Sequence, residues 1–183
     1  MRYAKMDSPV GQLTIAGDDD GLHFVLFRTG KRAASPAEDW REGGCDAVDE
    51  AIRQLQAYFS GSLTAFDLPL KPAGTPFQMG VWRELQQVPY GNIISYGELA
   101  RRIGRPTASR AVGAANGANP IPIIIPCHRV IGSGGKLTGY GGGLEIKTAL
   151  LRLERGSREA GNAAAGMGTE LAALPGCTSY RMQ

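Results

Sequence analysis

One stretch of the chain, Ile123-Ile124-Ile125-Pro126-Cys127-His128-Arg129-Val130, places a cysteine directly before a histidine. Its three β-branched residues predict a short buried strand, which Pro126 ends because proline has no N–H to donate to a sheet. A free cysteine has a pKa of about 8.5 and a histidine of about 6.5, so His128 can take the proton of Cys127.

Neighbouring side chains of a strand point to opposite faces, so direct contact between Cys127 and His128 requires a bend in the backbone. We expect a water molecule to carry the proton between them. A buried structural cysteine beside a hydrogen-bonded histidine explains the pair equally well. The rest of the sequence must decide between the two explanations.

The composition is that of a globular protein, since 183 residues with 43% hydrophobic content can bury one core, or two small cores that share an interface. The three cysteines, Cys45, Cys127 and Cys177, are far apart, and the histidines are His23 and His128. This spacing predicts neither disulfide bonds nor a metal site. No nucleotide-binding loop is evident in the sequence, so we expect no cofactor.

The N-terminus leads into no apolar targeting segment, and no stretch approaches the roughly 20 apolar residues of a membrane-spanning helix. We therefore expect a cytoplasmic protein with no membrane partner. A net charge of +3 is compatible with a nucleic-acid partner, but many enzymes of neutral substrates carry a similar charge.

The first 74 residues predict a β-hairpin followed by a helix. Residues 12–16 and 22–27 are rich in strand-forming residues and flank the turn sequence Asp18-Asp19-Asp20-Gly21. Asp46 opens a helix whose apolar positions follow the helical period: Val48, Ile52, Leu55 and Phe59. We place a domain boundary near Gly74, because a second set of helices begins directly after it.

Three helix starts follow the boundary. Thr75-Pro76 combines an N-cap hydroxyl with proline at the first helical position, and Ser95-Tyr96-Gly97-Glu98 has the spacing of a capping box. Gly104-Arg105-Pro106 ends the second helix, and Thr107 is placed to cap a third over residues 108–118. The order of helix, tight turn and helix predicts a helix-turn-helix.

The helix-turn-helix can serve core packing or DNA binding. Its second helix is built largely of alanine and glycine with one arginine, which suits close contact with a core or with a duplex. Four arginines surround the turn: Arg101, Arg102, Arg105 and Arg110. This basic patch favours DNA, and Arg110 is the one long side chain of the second helix.

Residues 137–143 form a loop of small residues around Tyr140. The glycines can let a substrate approach the backbone, and Tyr140 can form an aromatic wall. A flexible connection is the alternative explanation for this composition.

Residues 144–155 predict a helix that Gly156 ends. Glu154 lies beside its apolar positions, at the end of the helix where the dipole repels a carboxylate. Two roles would explain a carboxylate at this position: an ion pair with Arg155 or Lys147, or a hydrogen bond that orients a histidine side chain. Residues 157–183, which include Cys177, lack a sustained pattern and predict a flexible tail.

These segments together resemble a known family, the DNA repair methyltransferases that remove alkyl groups from O6 of guanine, also called methylated-DNA-protein-cysteine methyltransferases. The resemblance runs from about Thr75 to Gly156, with Pro126-Cys127-His128-Arg129-Val130 as its signature, and it is close over residues 119–130 and 138–144. It implies an α+β fold. An N-terminal structural domain of hairpin or sheet plus helix (1–74) precedes a mainly helical DNA-binding and alkyl-acceptor domain with a helix-turn-helix and a short active-site strand (75–156), and then the tail (157–183).

The resemblance also implies catalytic roles. Cys127 accepts the alkyl group, His128 deprotonates it through a bound water, and Glu154 orients His128. Tyr96 hydrogen-bonds guanine N3 so that the base leaves as a neutral species. For base recognition, the resemblance implies three further groups: the Tyr140 ring as pocket wall, the Gly141 amide near O6, and the Val130 carbonyl for the guanine amino group.

The implied partner is double-stranded DNA carrying alkylated guanine, bound through the minor groove, with O4-alkylthymine as a further substrate. Arg110 takes the place of the flipped nucleotide, Asn119 acts as a hinge to the active-site strand, and Arg101 and Arg102 belong to the DNA-binding patch. We expect a monomer that reacts once and inactivates itself.

Two other classes compete with this interpretation. A helix-turn-helix transcription regulator needs no Cys-His-Glu relay, and a cysteine hydrolase needs an oxyanion site but no basic helix. The family's non-catalytic relatives carry tryptophan at the acceptor position, where this chain has Cys127. Some relatives bind zinc in the N-terminal domain, which Cys45 and His23 alone cannot do.

Overall fold

The computed structural model describes residues 1–30 and 35–164, with side chains up to residue 156. Its N-terminal part is a four-stranded sheet in the order β3-β2-β1-β4. The strands are β1 (Arg2–Met6), β2 (Leu13–Asp18), β3 (Gly21–Phe27) and β4 (Arg41–Glu42). The predicted hairpin is confirmed as the antiparallel β2–β3 pair, and β4, which the sequence did not indicate, runs parallel to β1.

Helix α1 (Asp46–Phe59) begins where predicted and packs on this sheet. Its buried face repeats at helical spacing and comprises Val48, Ala51, Gln54, Leu55 and Tyr58. The Gln54 side chain is satisfied by the backbone of Asp67, donating to its carbonyl at 2.7 Å and accepting from its N–H at 2.9 Å. The connection that follows α1 is therefore fixed against the helix, and its Pro69 carbonyl accepts from Leu22 of β3 at 2.8 Å.

Three helices form the framework of the second part: α2 (Pro76–Leu85), α3 (Tyr96–Arg102) and α4 (Ser109–Gly117). Thr75 and Gln78 complete a capping box on α2, and the Ser95 hydroxyl accepts from the Glu98 N–H on α3. Helix α4 packs against both α2 and α3, and Trp82 Nε1 donates to the Ala115 carbonyl at 2.9 Å.

The predicted cap of α4 is wrong. Ala108 occupies the N-cap position and makes no side-chain hydrogen bond, and Thr107 lies one residue earlier. The reason is a tight turn closed by the Ala108 N–H donating to the Arg105 carbonyl at 2.8 Å. This turn takes up Thr107, so the helix begins at Ser109.

The predicted active-site strand over residues 123–125 is also wrong. The Ile125 N–H donates to the Ile121 carbonyl at 2.9 Å, and Ile123 sits at a φ of 77°, so the segment is a buried turn. The prolines at positions 120, 122 and 126 remove the donors that a strand needs, and this outweighs the β propensity of the isoleucines. Residues Cys127–Arg129 then form one turn of 3-10 helix.

A short strand does follow this turn: β6 (Val130–Ile131) pairs in parallel with β5 (Ile94–Ser95). Helix α5 (Leu144–Ala164) packs against the 3-10 turn and continues through Gly156, so the prediction that Gly156 ends it is wrong. A single glycine costs a helix only about 1 kcal/mol. The predicted tail thus begins inside α5, and its residues 165–183, with Cys177, lie outside the described part of the chain.

The buried apolar side chains of both parts form one continuous core, and the architecture is α+β as predicted. Within the residues that the structure describes, no helix has the length and apolar character needed to cross a membrane.

Candidate active site

Cys127 is the first residue of the 3-10 turn and is 3% exposed. Two asparagines from α4 and its end fix the backbone around it. Asn116 Nδ2 donates to the Cys127 carbonyl at 3.2 Å, and Asn119 Nδ2 donates to the Ile125 carbonyl at 2.8 Å. Asn119 also accepts from the Ile121 N–H at 3.0 Å, so the helix-turn-helix and the cysteine segment are tied together.

The structure brings His128 and Glu154 together. Both side chains are fully buried, and His128 Nε2 lies 2.8 Å from Glu154 Oε1. A carboxylate can only accept here, so Nε2 carries the hydrogen and Nδ1 has a free lone pair. Nδ1 has no hydrogen-bond partner among the described residues, and no hydrogen bond there joins the His128 ring to the Cys127 sulfur. The imidazole is therefore oriented as a base.

Glu154 accepts hydrogen bonds from three further groups that the sequence did not suggest. Arg129 donates from Nη2 to Oε1 at 2.9 Å and from Nε to Oε2 at 3.0 Å. The Tyr58 hydroxyl donates to Oε1 at 2.8 Å, and the Gly91 N–H donates to Oε2 at 3.0 Å. Burial opposes ionisation of Glu154, but the bonds from His128 and Arg129 outweigh it and lower its pKa to about 2.

Of the two predicted partners of Glu154, Lys147 binds elsewhere. Its ammonium donates to the Val130 carbonyl at 2.6 Å and to the Thr138 carbonyl at 2.9 Å. Burial lowers the pKa of Lys147 to about 8, and the nearby Cys127 opposes that shift.

Burial also controls the nucleophile and the base. It raises the pKa of the Cys127 thiol, and the opposing effects of Asn119, Lys147 and Tyr140 are smaller. Burial lowers the pKa of His128, against the pull of Glu154. The site therefore holds a protonated thiol beside a neutral imidazole, so attack by the sulfur requires a base.

A cleft of about 670 Å³ lies between the helix-turn-helix and the glycine loop. Four of the predicted residues line it: Tyr96, Arg110, Tyr140 and Gly141. Much of its remaining lining is small and comprises Ser95, Gly97, Ser109, Gly113, Gly117, Gly132, Ser133, Thr138 and Gly139. Tyr140 is 6% exposed, and its hydroxyl is near enough to Cys127 to lower the pKa of the thiol, although Cys127 itself does not line the cleft.

The four arginines near the turn differ in their pairing. Arg101 binds Glu98 at 2.6 Å, and Arg102 binds Glu98 at 3.1 Å and Glu84 at 3.7 Å. Arg105 and Arg110 are exposed and form no ion pair within the described part of the chain. The patch is therefore less positive than the sequence suggests, and its unpaired charges flank the start of α4.

No group of three or more histidine, cysteine, aspartate or glutamate side chains that could hold a metal occurs among the described residues.

Two family descriptions match consecutive parts of the chain. Residues 1–72 match the ribonuclease-like domain of 6-O-methylguanine DNA methyltransferase, and residues 76–156 match its DNA binding domain. Together with the site, these matches define a DNA-binding protein built around a buried cysteine.

The relatives agree with this class. The chain is 53% identical over 154 residues to the methylated-DNA–protein-cysteine methyltransferase of Methanosarcina acetivorans, with 84% of this chain and 98% of that protein aligned. Its counterpart from Mycolicibacterium paratuberculosis is 53% identical, with 85% and 93% aligned. The OGT of Mycobacterium tuberculosis in complex with DNA matches with a TM-score of 0.80 and 49% identity, covering 86% of this chain and 94% of that one. The chain belongs to the 6-O-methylguanine DNA methyltransferase family.

Proposed function

We propose that this protein repairs DNA by direct and irreversible transfer of the alkyl group from O6-alkylguanine to its own Cys127. The observation that supports this most is a buried cysteine that is followed by an imidazole oriented by Glu154 and lies near Tyr140, a wall of the cleft. The relatives named methylated-DNA–protein-cysteine methyltransferase perform the reaction that such a thiol can perform. O4-alkylthymine is a second substrate under this proposal.

The reaction begins with proton transfer from Cys127 through a water molecule to His128 Nδ1, and Glu154 stabilises the imidazolium that forms. The thiolate attacks the alkyl carbon, a C–S bond forms, and the bond from that carbon to O6 breaks. The electron pair passes to the guanine ring, where the Tyr96 hydroxyl donates to N3. Tyr96 gives its hydroxyl proton to N3 and regains one from the His128 imidazolium through solvent, so the base leaves as neutral guanine and Cys127 becomes a thioether.

Recognition of the base uses the walls of the cleft. The Tyr140 ring stacks against the lesion, the Gly141 amide donates to O6, and the Val130 carbonyl accepts from the guanine amino group beside its bond to Lys147. These groups come from β6 and the glycine loop, and they would contact a base only after it has left the duplex.

Binding to the duplex uses the helix-turn-helix. The small side chains of α4 can approach the minor groove closely, and exposed Arg110 replaces the flipped nucleotide. Arg101 and Arg102 contact phosphates once DNA competes for their carboxylate partners. Asn119 keeps α4 in register with the cysteine segment.

We also propose a division into a structural domain (1–74) and a DNA-binding, alkyl-acceptor domain (75–156), acting as a cytoplasmic monomer. The two family matches end and begin within a few residues of this boundary, which supports it.

The test mixes the protein with a duplex oligonucleotide that contains O6-methylguanine, and follows both the repaired base and the intact protein mass. We expect one methyl group on each molecule, located on Cys127, and one repaired base for each protein molecule. Cys127→Ser is expected to transfer nothing and still bind the duplex, whereas Cys45→Ser is expected to behave as wild type. More repaired bases than protein molecules, or labelling of Cys45, would refute the proposal.

A further inference from the structure

Tyr58 connects α1 to the buried carboxylate of the active site. Its hydroxyl donates to Glu154 Oε1 at 2.8 Å, across a separation of 96 residues in the sequence. Tyr58 lies in the last turn of α1 and is fully buried. The proposed reaction gives this helix no part, yet one of its side chains touches the group that orients His128.

The acceptor atom is shared. Glu154 Oε1 accepts from Tyr58 and from His128 Nε2, both at 2.8 Å. Every donor on a carboxylate oxygen withdraws some of its negative charge, and that charge is what stabilises a protonated imidazole. A donor that competes on the same oxygen therefore weakens the hold of His128 on a proton.

We propose that Tyr58 is a positioning residue that tunes His128 through Glu154. Its hydroxyl fixes the carboxylate in the orientation that His128 needs, and it limits the charge that Oε1 offers to the imidazolium. His128 consequently stays neutral and able to accept the thiol proton over a wider range of pH. The inference rests on the proposed function, in which His128 is the base.

The packing around Tyr58 holds its hydroxyl in place. Its ring meets the rings of Phe59 and Phe66 at centroid distances of 5.4 Å, and that of Tyr90 at 5.9 Å. Burial and the neighbouring carboxylate of Glu154 raise the pKa of Tyr58, so the hydroxyl remains a donor throughout the working range. The other titratable or charged groups that face His128 and Glu154 are Cys127, Arg129, Tyr140 and Lys147.

The variant Tyr58→Phe removes the hydroxyl and keeps the ring. We expect the pKa of His128 to rise by about half a unit to one unit, the equivalent of one hydrogen bond. NMR titration can follow this directly because the chain has two histidines, and His23, bound to Asp18 on the N-terminal sheet, serves as internal reference. The acid limb of the single-turnover rate with an O6-methylguanine duplex should move to higher pH by the same amount.

Tyr90→Phe is the matched control. Its ring belongs to the same aromatic cluster, and its buried hydroxyl has no hydrogen-bond partner among the described residues. Deleting that hydroxyl should change neither the His128 titration nor the acid limb. If both variants lose the same amount of stability, that loss is due to packing in the aromatic cluster and not to the hydrogen bond with Glu154.

A fluorinated tyrosine at position 58 provides a second test that retains every contact. Its more acidic hydroxyl is a stronger donor, so the pKa of His128 should fall instead of rise. An unmoved His128 titration in both Tyr58 variants, or a shift in the opposite direction, overturns the inference whatever happens to the rate or the stability.

Glu154→Gln separates this inference from the proposed function. If Tyr58 acts through the carboxylate, the shift caused by Tyr58→Phe should disappear in the Glu154→Gln background. Wild-type transfer by Glu154→Gln alone would mean that the relay itself is wrong. If Glu154→Gln transfers slowly but Tyr58→Phe leaves the pKa of His128 unchanged, the inference about Tyr58 is wrong and the proposed function stands.

Discussion

Glu154 is the centre of a buried hydrogen-bond network. Four residues donate to its carboxylate: Tyr58, Gly91, His128 and Arg129. A buried charge is tolerated only when it is paired and hydrogen-bonded, and removing one partner of such a pair costs about 3–5 kcal/mol. The carboxylate thus joins α1, the segment after α2, the cysteine turn and α5 at one point. Under the proposed function, both stability and catalysis depend on this carboxylate.

Glu154→Gln is expected to slow alkyl transfer by about 100- to 10,000-fold, because the amide cannot stabilise the imidazolium that forms on His128. DNA affinity should stay within about twofold, since the Glu154 side chain is fully buried and cannot contact a duplex. Single-turnover kinetics and a binding titration measure the two effects. Glu145→Gln, at an exposed position of the same helix, is the control. If Glu154→Gln transfers the alkyl group at the wild-type rate, Glu154 has a structural role only.

The same carboxylate predicts a pH dependence of stability. The pKa of Glu154 is lowered to about 2 in the folded protein and is about 4.3 in an unfolded chain. The unfolded state therefore binds the proton first, and the stabilisation by Glu154 is complete above about pH 4.3 and is lost as the pH falls towards 2. Urea unfolding should show a difference in free energy between wild type and Glu154→Gln that shrinks over this window. A constant difference would mean that the charge is not responsible.

Sequence could identify some of these side chains and not others. Cys127 and His128 are adjacent in the chain. Glu154 was singled out as a carboxylate at the unfavourable end of a helix, but α5 continues to Ala164, so the residue was right and the dipole argument for it was wrong. Tyr58 reaches the site from 96 residues away and looks like any apolar position of α1, so no local pattern marks it. Arg129 lay in the quoted stretch, but its role depends on α5 and could be found only after folding.

Helix α4 brings Arg110, which forms no ion pair with any residue that the structure describes, to the rim of the cleft. Arg110→Ala should reduce repair of duplex DNA about ten- to a hundredfold more than it reduces reaction with free O6-benzylguanine, because only the duplex requires extrusion of a base. Arg105→Ala removes the same charge from the preceding turn and should weaken DNA binding without this selective loss. Rates on both substrates measure the contrast. Equal losses on both in Arg110→Ala would indicate a role in the fold or the pocket.

Two of the errors at this level have a common physical cause, which is that backbone constraints outweighed propensity. Proline spacing converted a run of isoleucines into a turn, and a backbone hydrogen bond from Ala108 took Thr107 out of the capping position. Gly156 failed to end α5, because its cost is small within a long helix. The capping box at Thr75 and the hairpin at Gly21 were predictable because each depends on residues that are near in sequence.

The N-terminal sheet and the active site share one hydrophobic core. A change in the volume of the Cys127 side chain should therefore alter the stability of the whole protein. Phe27 of β3 contacts the Tyr140 ring at a centroid distance of 5.8 Å, and Tyr140 is near enough to Cys127 to lower the pKa of its thiol. The alkyl group adds volume to a site in which Cys127 is 3% exposed, and overpacking of this kind costs about 1–3 kcal/mol.

We therefore expect the alkylated protein to be less stable than the fresh protein, and the benzylated form to be less stable than the methylated one. Chemical denaturation of intact-mass-verified samples measures this. Protein incubated with an unmodified oligonucleotide is the control. Equal stability of the three forms would show that the cleft accepts the group without strain.

The hydrogen bond from the Val25 N–H to the Pro120 carbonyl, 2.9 Å long, crosses from the N-terminal sheet to the start of the cysteine segment. Pro120 is bonded to Asn119, which in turn holds Ile125 two residues before Cys127. Deuterium uptake at the Val25 amide should therefore respond to movement of residues 119–127. In the fresh protein this amide should exchange as slowly as the neighbouring amides of β3, and after alkylation it should exchange faster than they do. A strand of the sheet would then record whether a molecule has already reacted.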